Sequence, residues 1–262
     1  MLQILPVNVK VLVMGAEAVT IVETAPIGSI KHCIVGLPDV GLVGLIAVSH
    51  IIHSLEMPEV GHFESDILPP IVVIHKGDPK APFRVYSKEK LAIITSEVPF
   101  STATLPMLAR AIVDWAKSKE VELLISVSGT AVQNRLDIEN PAVYGIGASS
   151  AEKQLLGKAD IEPLEEGFMV GPHALILKEC QKKNIPNVVL LAQSHYQYPD
   201  PGAAASIISA LNKLLNLNVD TKQLLEQAEE IRLKTRELMQ RTQRSMQGMQ
   251  KTQEQEFPAM YV

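Results

Sequence analysis

Short runs of Val, Ile and Leu alternate with longer amphipathic stretches along most of this chain, with Gly, Pro or Asp at the junctions. Runs of about four to eight such residues read as strands, and apolar residues recurring every three or four positions read as helices. The pattern predicts strands at residues 10–14, 19–23, 31–36, 60–65, 71–75, 83–87, 90–96, 121–127 and 188–192. Helices are expected at 42–55, 101–118, 174–183 and 203–215, the second capped by Ser101 or Thr102. The run at 121–127 is apolar without alternation, as in a strand covered on both faces. The fold class is therefore α/β: a three-layer sandwich with a mostly parallel or mixed central sheet. Periodicity leaves the strand order open. Residues 128–170 show no sustained period and read as irregular, with a Gly/Ala/Ser segment at 145–151 and an acidic stretch at 162–166.

The 262 residues are 47% hydrophobic but only 4% aromatic, so the core has to be aliphatic. A 20% charged content excludes wholesale disorder. A net charge of −5 supplies no general positive field, so nucleic acid is not an expected partner. Cys33 and Cys180 sit in apolar stretches and read as buried, reduced thiols, because a disulfide framework or zinc cluster needs more cysteines at closer spacing. His50 and His53 share a helix face, with His62, Glu64 and Asp66 nearby, but the His-Glu-x-x-His pattern is absent. A surface or satisfied pair is expected there, and no metal or cofactor. His50 and His53 also interrupt the longest apolar run, which falls short of the ~18–20 residues of a membrane span. Met1-Leu2-Gln3-Ile4 lacks a basic region followed by a long apolar run, so the chain reads as cytoplasmic, without a membrane partner.

Composition changes at Asp220. From there to about Glu254 there is no Pro and only Gly248 interrupts a Gln-, Glu-, Arg-, Lys- and Met-rich stretch. The expected organisation is a core domain at 1–219, a long helix at 220–255 and an extended docking tail at 256–262. Leu224, Ala228, Ile231, Thr235, Leu238 and Thr242 follow heptad spacing, diluted by the two threonines. Such a helix should pack partly on its own domain and partly on a partner subunit. The last residues, Phe257-Pro258-Ala259-Met260-Tyr261-Val262, end in hydrophobic–tyrosine–any residue. Pro258 biases Phe257 toward an extended backbone, so the helix should stop before it. A terminal carboxylate beside a tyrosine offers charge, a ring for a cleft and a phenol for a hydrogen bond. The alternative is a tail folded back on the domain.

Three loops are candidates for chemistry. Gly36-Leu37-Pro38-Asp39-Val40-Gly41-Leu42-Val43-Gly44 follows a strand and opens a helix, but matches neither the P-loop nor the dinucleotide fingerprint. Its glycines suit a tight turn and close helix–strand packing, or else a small ligand. Ser126-Val127-Ser128-Gly129-Thr130 lies at a strand end but is not Gly-x-Ser-x-Gly. Tyr196-Gln197-Tyr198-Pro199-Asp200-Pro201 is a turn-rich loop that either lines a pocket or rigidly enters the next helix. No nucleophile, base and stabiliser can be named together, so an enzyme reading is unsupported.

The Gly36–Gly44 turn resembles the opening motif of the proteasome assembly chaperone family. Gly171-Pro172-His173-Ala174-Leu175, through Pro199-Asp200-Pro201-Gly202-Ala203-Ala204, is similar to that family's second signature, and Asn218-Val219-Asp220 with its helix to the usual archaeal ending. The resemblance spans about residues 8–240. It implies a sandwich similar to the nucleoside-phosphorylase fold, no established enzymatic chemistry, and self-association as a homo-oligomer, a tetramer or similar. It also implies docking on the α subunits of the 20S proteasome. Met260, Tyr261 and Val262 resemble the tail by which activators enter pockets between α subunits and open the gate. Tyr261 would be the anchor, Val262 the carboxylate and Met260 the contact to the pocket rim. The remaining alternative is a small-ligand protein or enzyme whose site gathers the three loops.

Overall fold

The computed structural model describes residues 19–68 and 70–256, with side chains up to residue 247. The first half runs β1 (Thr20–Glu23), β2 (His32–Gly36), α1 (Val43–Ser54), β3 (Glu59–Glu64), β4 (Val73–His75), β5 (Asp78–Lys80), β6 (Phe83–Lys88), β7 (Leu91–Ser96) and α2 (Leu105–Ser118). The second half runs β8 (Leu123–Ala131), β9 (Val143–Gly147), α3 (Ser150–Lys158), β10 (Glu162–Pro163), α4 (Pro172–Lys183), β11 (Asn187–Ser194), α5 (Pro201–Leu215), α6 (Lys222–Glu226) and α7 (Ala228–Glu256).

Nine strands form one sheet in the order β1-β3-β6-β7-β2-β8-β11-β9-β10, while β4 and β5 make a separate hairpin. The central quartet β7-β2-β8-β11 is parallel, and β1, β3 and β6 extend it antiparallel on one side. On the other side β9 runs antiparallel to β11, and β10 parallel to β9. Both faces of the quartet are covered, which explains its unbroken aliphatic runs. Alternate residues of β2 point to opposite cores: Ile34 joins the layer with α1, α3, α5 and α7, and Cys33 and Val35 join the layer with α2 and α4. This is the three-layer α/β sandwich that the alternation of runs predicts.

The structure departs from the periodicity in 128–170, which holds the end of β8, then β9, α3 and β10. The capping box at α3 is the local cause. Ser149 Oγ accepts from Glu152 N at 3.3 Å, and Ser149 N donates to Glu152 Oε2 at 2.7 Å. Glu152 Oε1 accepts from Asn187 N at 3.0 Å, tying the helix to β11. Helix α2 begins at Leu105 rather than at 101, with Pro106 in its first turn, where a missing N–H costs nothing. The predicted strand at 71–75 shortens to β4 and lies off the sheet. The strand expected at 10–14 lies outside the described residues.

Cys33 and Cys180 are fully buried, free and in the same core layer. Burial, with a smaller contribution from neighbouring Glu152 and Glu179, pushes the Cys180 thiol up to about 12. Burial and then the neighbouring Cys180 raise Cys33 further. Thiolate is the nucleophilic form, so neither should react with an aromatic disulfide reagent at pH 8 while the protein is folded. Both should react within minutes in denaturant, and labelling of the native protein would contradict the core placement.

Helix α7 lays one face on its own domain. Met239 and Thr242 are about 1% exposed, and Ile231 and Leu238 pack against the same core. The outer face carries Lys234–Glu230 and Arg241–Glu237 pairs, which add little in water. Among the described residues no helix is long and apolar enough to cross a membrane.

Candidate functional site

Strand β2 ends at Gly36 opposite Val127 of the parallel β8, which runs on to Ala131, and the chain leaving β2 turns sharply into α1. A side chain at Gly36 would place Cβ 2.5 Å from Gly44 O and 2.6 Å from Val48 Cγ1, so the strand and helix backbones meet directly. Gly41 (φ 63°) and Leu42 (φ 52°) are consecutive left-handed residues, and the buried Leu42 adopts this conformation at a cost of about 1 kcal/mol or more. The turn carries Asp39 to the end of β8, where Ser128 Oγ donates to Asp39 Oδ2.

His173, in the first turn of α4, completes the cluster. Its Nε2 lies 3.3 Å from Asp39 Oδ2, within ion-pair reach, but it forms no hydrogen bond there. Asp39 Oδ1 and both His173 ring nitrogens are buried without hydrogen-bond partners. Burial holds the Asp39 carboxyl well above the usual carboxylate range, against the smaller downward pull of Ser128. Burial also lowers His173 to about 4. Burial thus disfavours the charged form of each group.

Beside this cluster lies a cavity of about 220 Å³. The Pro38–Val40 turn and the end of β8 form one wall, and Phe100, Leu191 and Tyr196 form apolar walls. Segment 168–173 closes a third side, and α7 contributes Thr242, Ser245 and Met246. Helix α7 is fastened across the rims: Ser245 Oγ donates to Phe100 O, and Gln243 Nε2 donates to Tyr196 O at 3.3 Å.

A buried ion pair supports the Tyr196 side. Arg135 donates from Nε to Asp200 Oδ2 at 2.7 Å and from Nη2 to Oδ1 at 2.9 Å. Asp200 is wholly buried, caps α5 through Ala203 N at 3.0 Å, and gives its own N–H to Gly41 O at 2.8 Å.

All three sequence loops reach the cavity, through Pro38–Val40, Ser128–Thr130 and Tyr196. Ser126, though buried, does not line it. Sequence reasoning gave no site role to His173, Phe100 or the long C-terminal helix, although it expected that helix and quoted His173 within a family signature. Pro172, which starts α4, was the available signal for His173. His50 is satisfied by Asp220 O at 2.7 Å, and no three metal-ligating side chains cluster among the described residues. Met260, Tyr261 and Val262 lie outside the described residues.

The PAC2 family model matches residues 33–239, from β2 into α7. The chain belongs to the PAC2 family. A relative, an uncharacterised protein of Methanocaldococcus jannaschii, is 31% identical over 225 residues, covering 86% of this chain and 90% of the relative. The crystal structure of Pyrococcus furiosus PbaA, an archaeal homolog of proteasome-assembly chaperone, is 30% identical with a TM-score of 0.82. The match covers 87% of this chain and 99% of PbaA. Pyrococcus furiosus PbaB, an archaeal proteasome activator, shares the fold at 23% identity and a TM-score of 0.72, over 85% of this chain and 99% of PbaB.

Proposed function

We propose that this PAC2 protein is a non-enzymatic, ATP-independent proteasome activator or assembly chaperone. In this reading it docks on the α ring of the 20S proteasome through Met260, Tyr261 and Val262. The likeness to PbaA over nearly its whole length carries the proteasome association, and the hydrophobic–tyrosine–any ending carries the mode of docking. Tyr261 fills the cleft, the Val262 carboxylate meets a basic group and Met260 packs on the rim. Val262 lies six positions beyond Glu256, the end of α7, a reach of at most about 22 Å. One short tail binds weakly, and a homo-oligomer presenting several tails gains about 10²–10⁴-fold in avidity when the spacing allows. Gate opening then draws on differential binding to the open state.

The test is cleavage of a small fluorogenic peptide by the 20S proteasome. Full-length protein should stimulate it, and a variant lacking residues 260–262 should not, with oligomer size unchanged by light scattering. Tyr261→Ala should match the truncation, and Tyr261→Phe should retain part of the effect. Undiminished stimulation by the truncated protein would overturn tail docking.

A further inference from the structure

We propose that the cavity under α7 binds an uncharged ring compound with an amide-like donor–acceptor edge, held by Asp39, Ser128, His173 and Thr242. This site is separate from the proteasome-docking tail and is tested without the proteasome.

Buried polar atoms without partners are rare, because each forfeits the hydrogen bonds it had in water. Among the described residues such atoms also occur on Arg84, Thr95, Ser126 and Asn187, but the rest belong to side chains that line one cavity: Asp39 Oδ1, both His173 nitrogens and Thr242 Oγ1. Asp39, His173 and Thr242 are 7%, 2% and 1% exposed, and they come from the β2–α1 turn, α4 and α7. Three separate elements thus bring unmet donors and acceptors to one place. A bound molecule supplying the complementary groups would satisfy them together.

Charge narrows the class. No lysine or arginine lines the cavity among the described residues, so a phosphate or carboxylate would be buried without a counter-ion. A cation would require Asp39 to ionise at a site where burial opposes it. A neutral ligand meets neither cost. In the neutral form that burial favours, Asp39 donates and His173 offers one donor and one acceptor; the Ser128 hydroxyl, its proton directed at Asp39, accepts, and Thr242 does both. That set matches a lactam or carboxamide edge. Phe100, Leu191, Tyr196 and Met246 give the remaining surface an apolar character suited to a flat ring.

The experiment is isothermal calorimetry and thermal unfolding of the full-length protein with nicotinamide, uracil and hypoxanthine as neutral probes. Benzamidine and benzoate serve as cationic and anionic counterparts. At least one neutral probe should bind saturably, with affinity constant within about twofold from pH 6 to 8 and no proton exchanged with buffer. At a hundredfold excess over Kd it should raise the unfolding midpoint by about 5–10 °C. Asp39→Asn keeps a neutral donor and acceptor in the same shape, and should bind within about threefold of the parent. Thr242→Val and Asp39→Leu should each weaken binding tenfold or more, and Thr242→Val keeps the test decisive where the leucine variant fails to fold. Bound probe should slow hydrogen exchange in α7 around residues 239–246. Absence of binding by every neutral probe overturns the proposal. So does preferential binding of benzamidine with release of a proton, preferential binding of benzoate, or neutral binding indifferent to Thr242→Val.

Discussion

Replacing Asp200 with alanine should destabilise the protein by about 3–5 kcal/mol, the scale for stripping one partner from a buried ion pair. The unfolding midpoint should fall on the order of 10 °C. The reason is what remains behind. Arg135 is 8% exposed and directs two of its donors at Asp200, so the variant leaves a guanidinium charge in the interior. The α5 cap at Ala203 N and the bond from His195 N are lost as well. Asp200→Asn separates these effects, because asparagine still caps a helix while the charge is unmatched. It should fall between parent and alanine, and Arg135→Met in that background should recover at least about 1 kcal/mol. Denaturant unfolding of the four proteins decides it, and an alanine variant within about 1 kcal/mol of the parent would show that the pair is not structural. The loss should also reach the cavity, because Asp200 Oδ2 accepts from His195 N and the same loop carries Tyr196.

That pair marks where sequence reading stops. Strands of the parallel quartet announce themselves through unbroken aliphatic runs, as in 31–36 and 121–127, because burial on both faces leaves no polar alternation. The helices covering them carry equally plain apolar stripes. Strand β9 and helix α3 were hidden because two of the five residues in Val143-Tyr144-Gly145-Ile146-Gly147 are glycine, and its strand state comes from pairing with β11, as at Leu190 and Val189. The Ser149–Glu152 capping box was the local signal that survived. At the site, the glycine turn, the β8 end and the Tyr196 loop were each visible as loops after strands. Their convergence was not, since strand order places β2 beside β8 and β8 beside β11 across long sequence separations. Arg135 and Asp200, 65 residues apart, have nothing in the sequence to connect them until the fold joins them. The threonines that dilute the heptad seam have a similar explanation: Thr242 is a fully buried contact at the cavity, not a weakened coiled-coil position.

Two helical glycines should respond to alanine with opposite signs. Gly157 in α3 is exposed and has open space where Cβ would go, so Gly157→Ala should stabilise by about 0.5–1 kcal/mol through helix propensity alone. Gly44 in α1 has the same propensity gain available, but its Cβ would fall onto the carbonyl oxygen of Val127 in β8 and 3.3 Å from Gly36 Cα. Both obstacles are backbone in the middle of the sheet, which cannot rotate aside as a side chain does. Relief requires moving α1 away from β2 and β8, opening contacts among Val43, Ala47, Val48 and Val127, all fully buried. Overpacking of this kind costs about 1–3 kcal/mol where side chains can yield, and more where they cannot. Gly44→Ala should therefore lose at least about 3 kcal/mol after the propensity gain is counted. Urea midpoints of the two variants measured together make the comparison. A neutral Gly44→Ala would mean that helix and strand are not in backbone contact, and that the turn carrying Asp39 is positioned by something other than these glycines. Because α1 and that turn are continuous, the spacing that forbids a methyl group at 44 also sets how far Asp39 projects toward Ser128. The Gly36–Gly44 motif thus serves close packing and the cavity through one constraint, and its two readings from sequence were never exclusive.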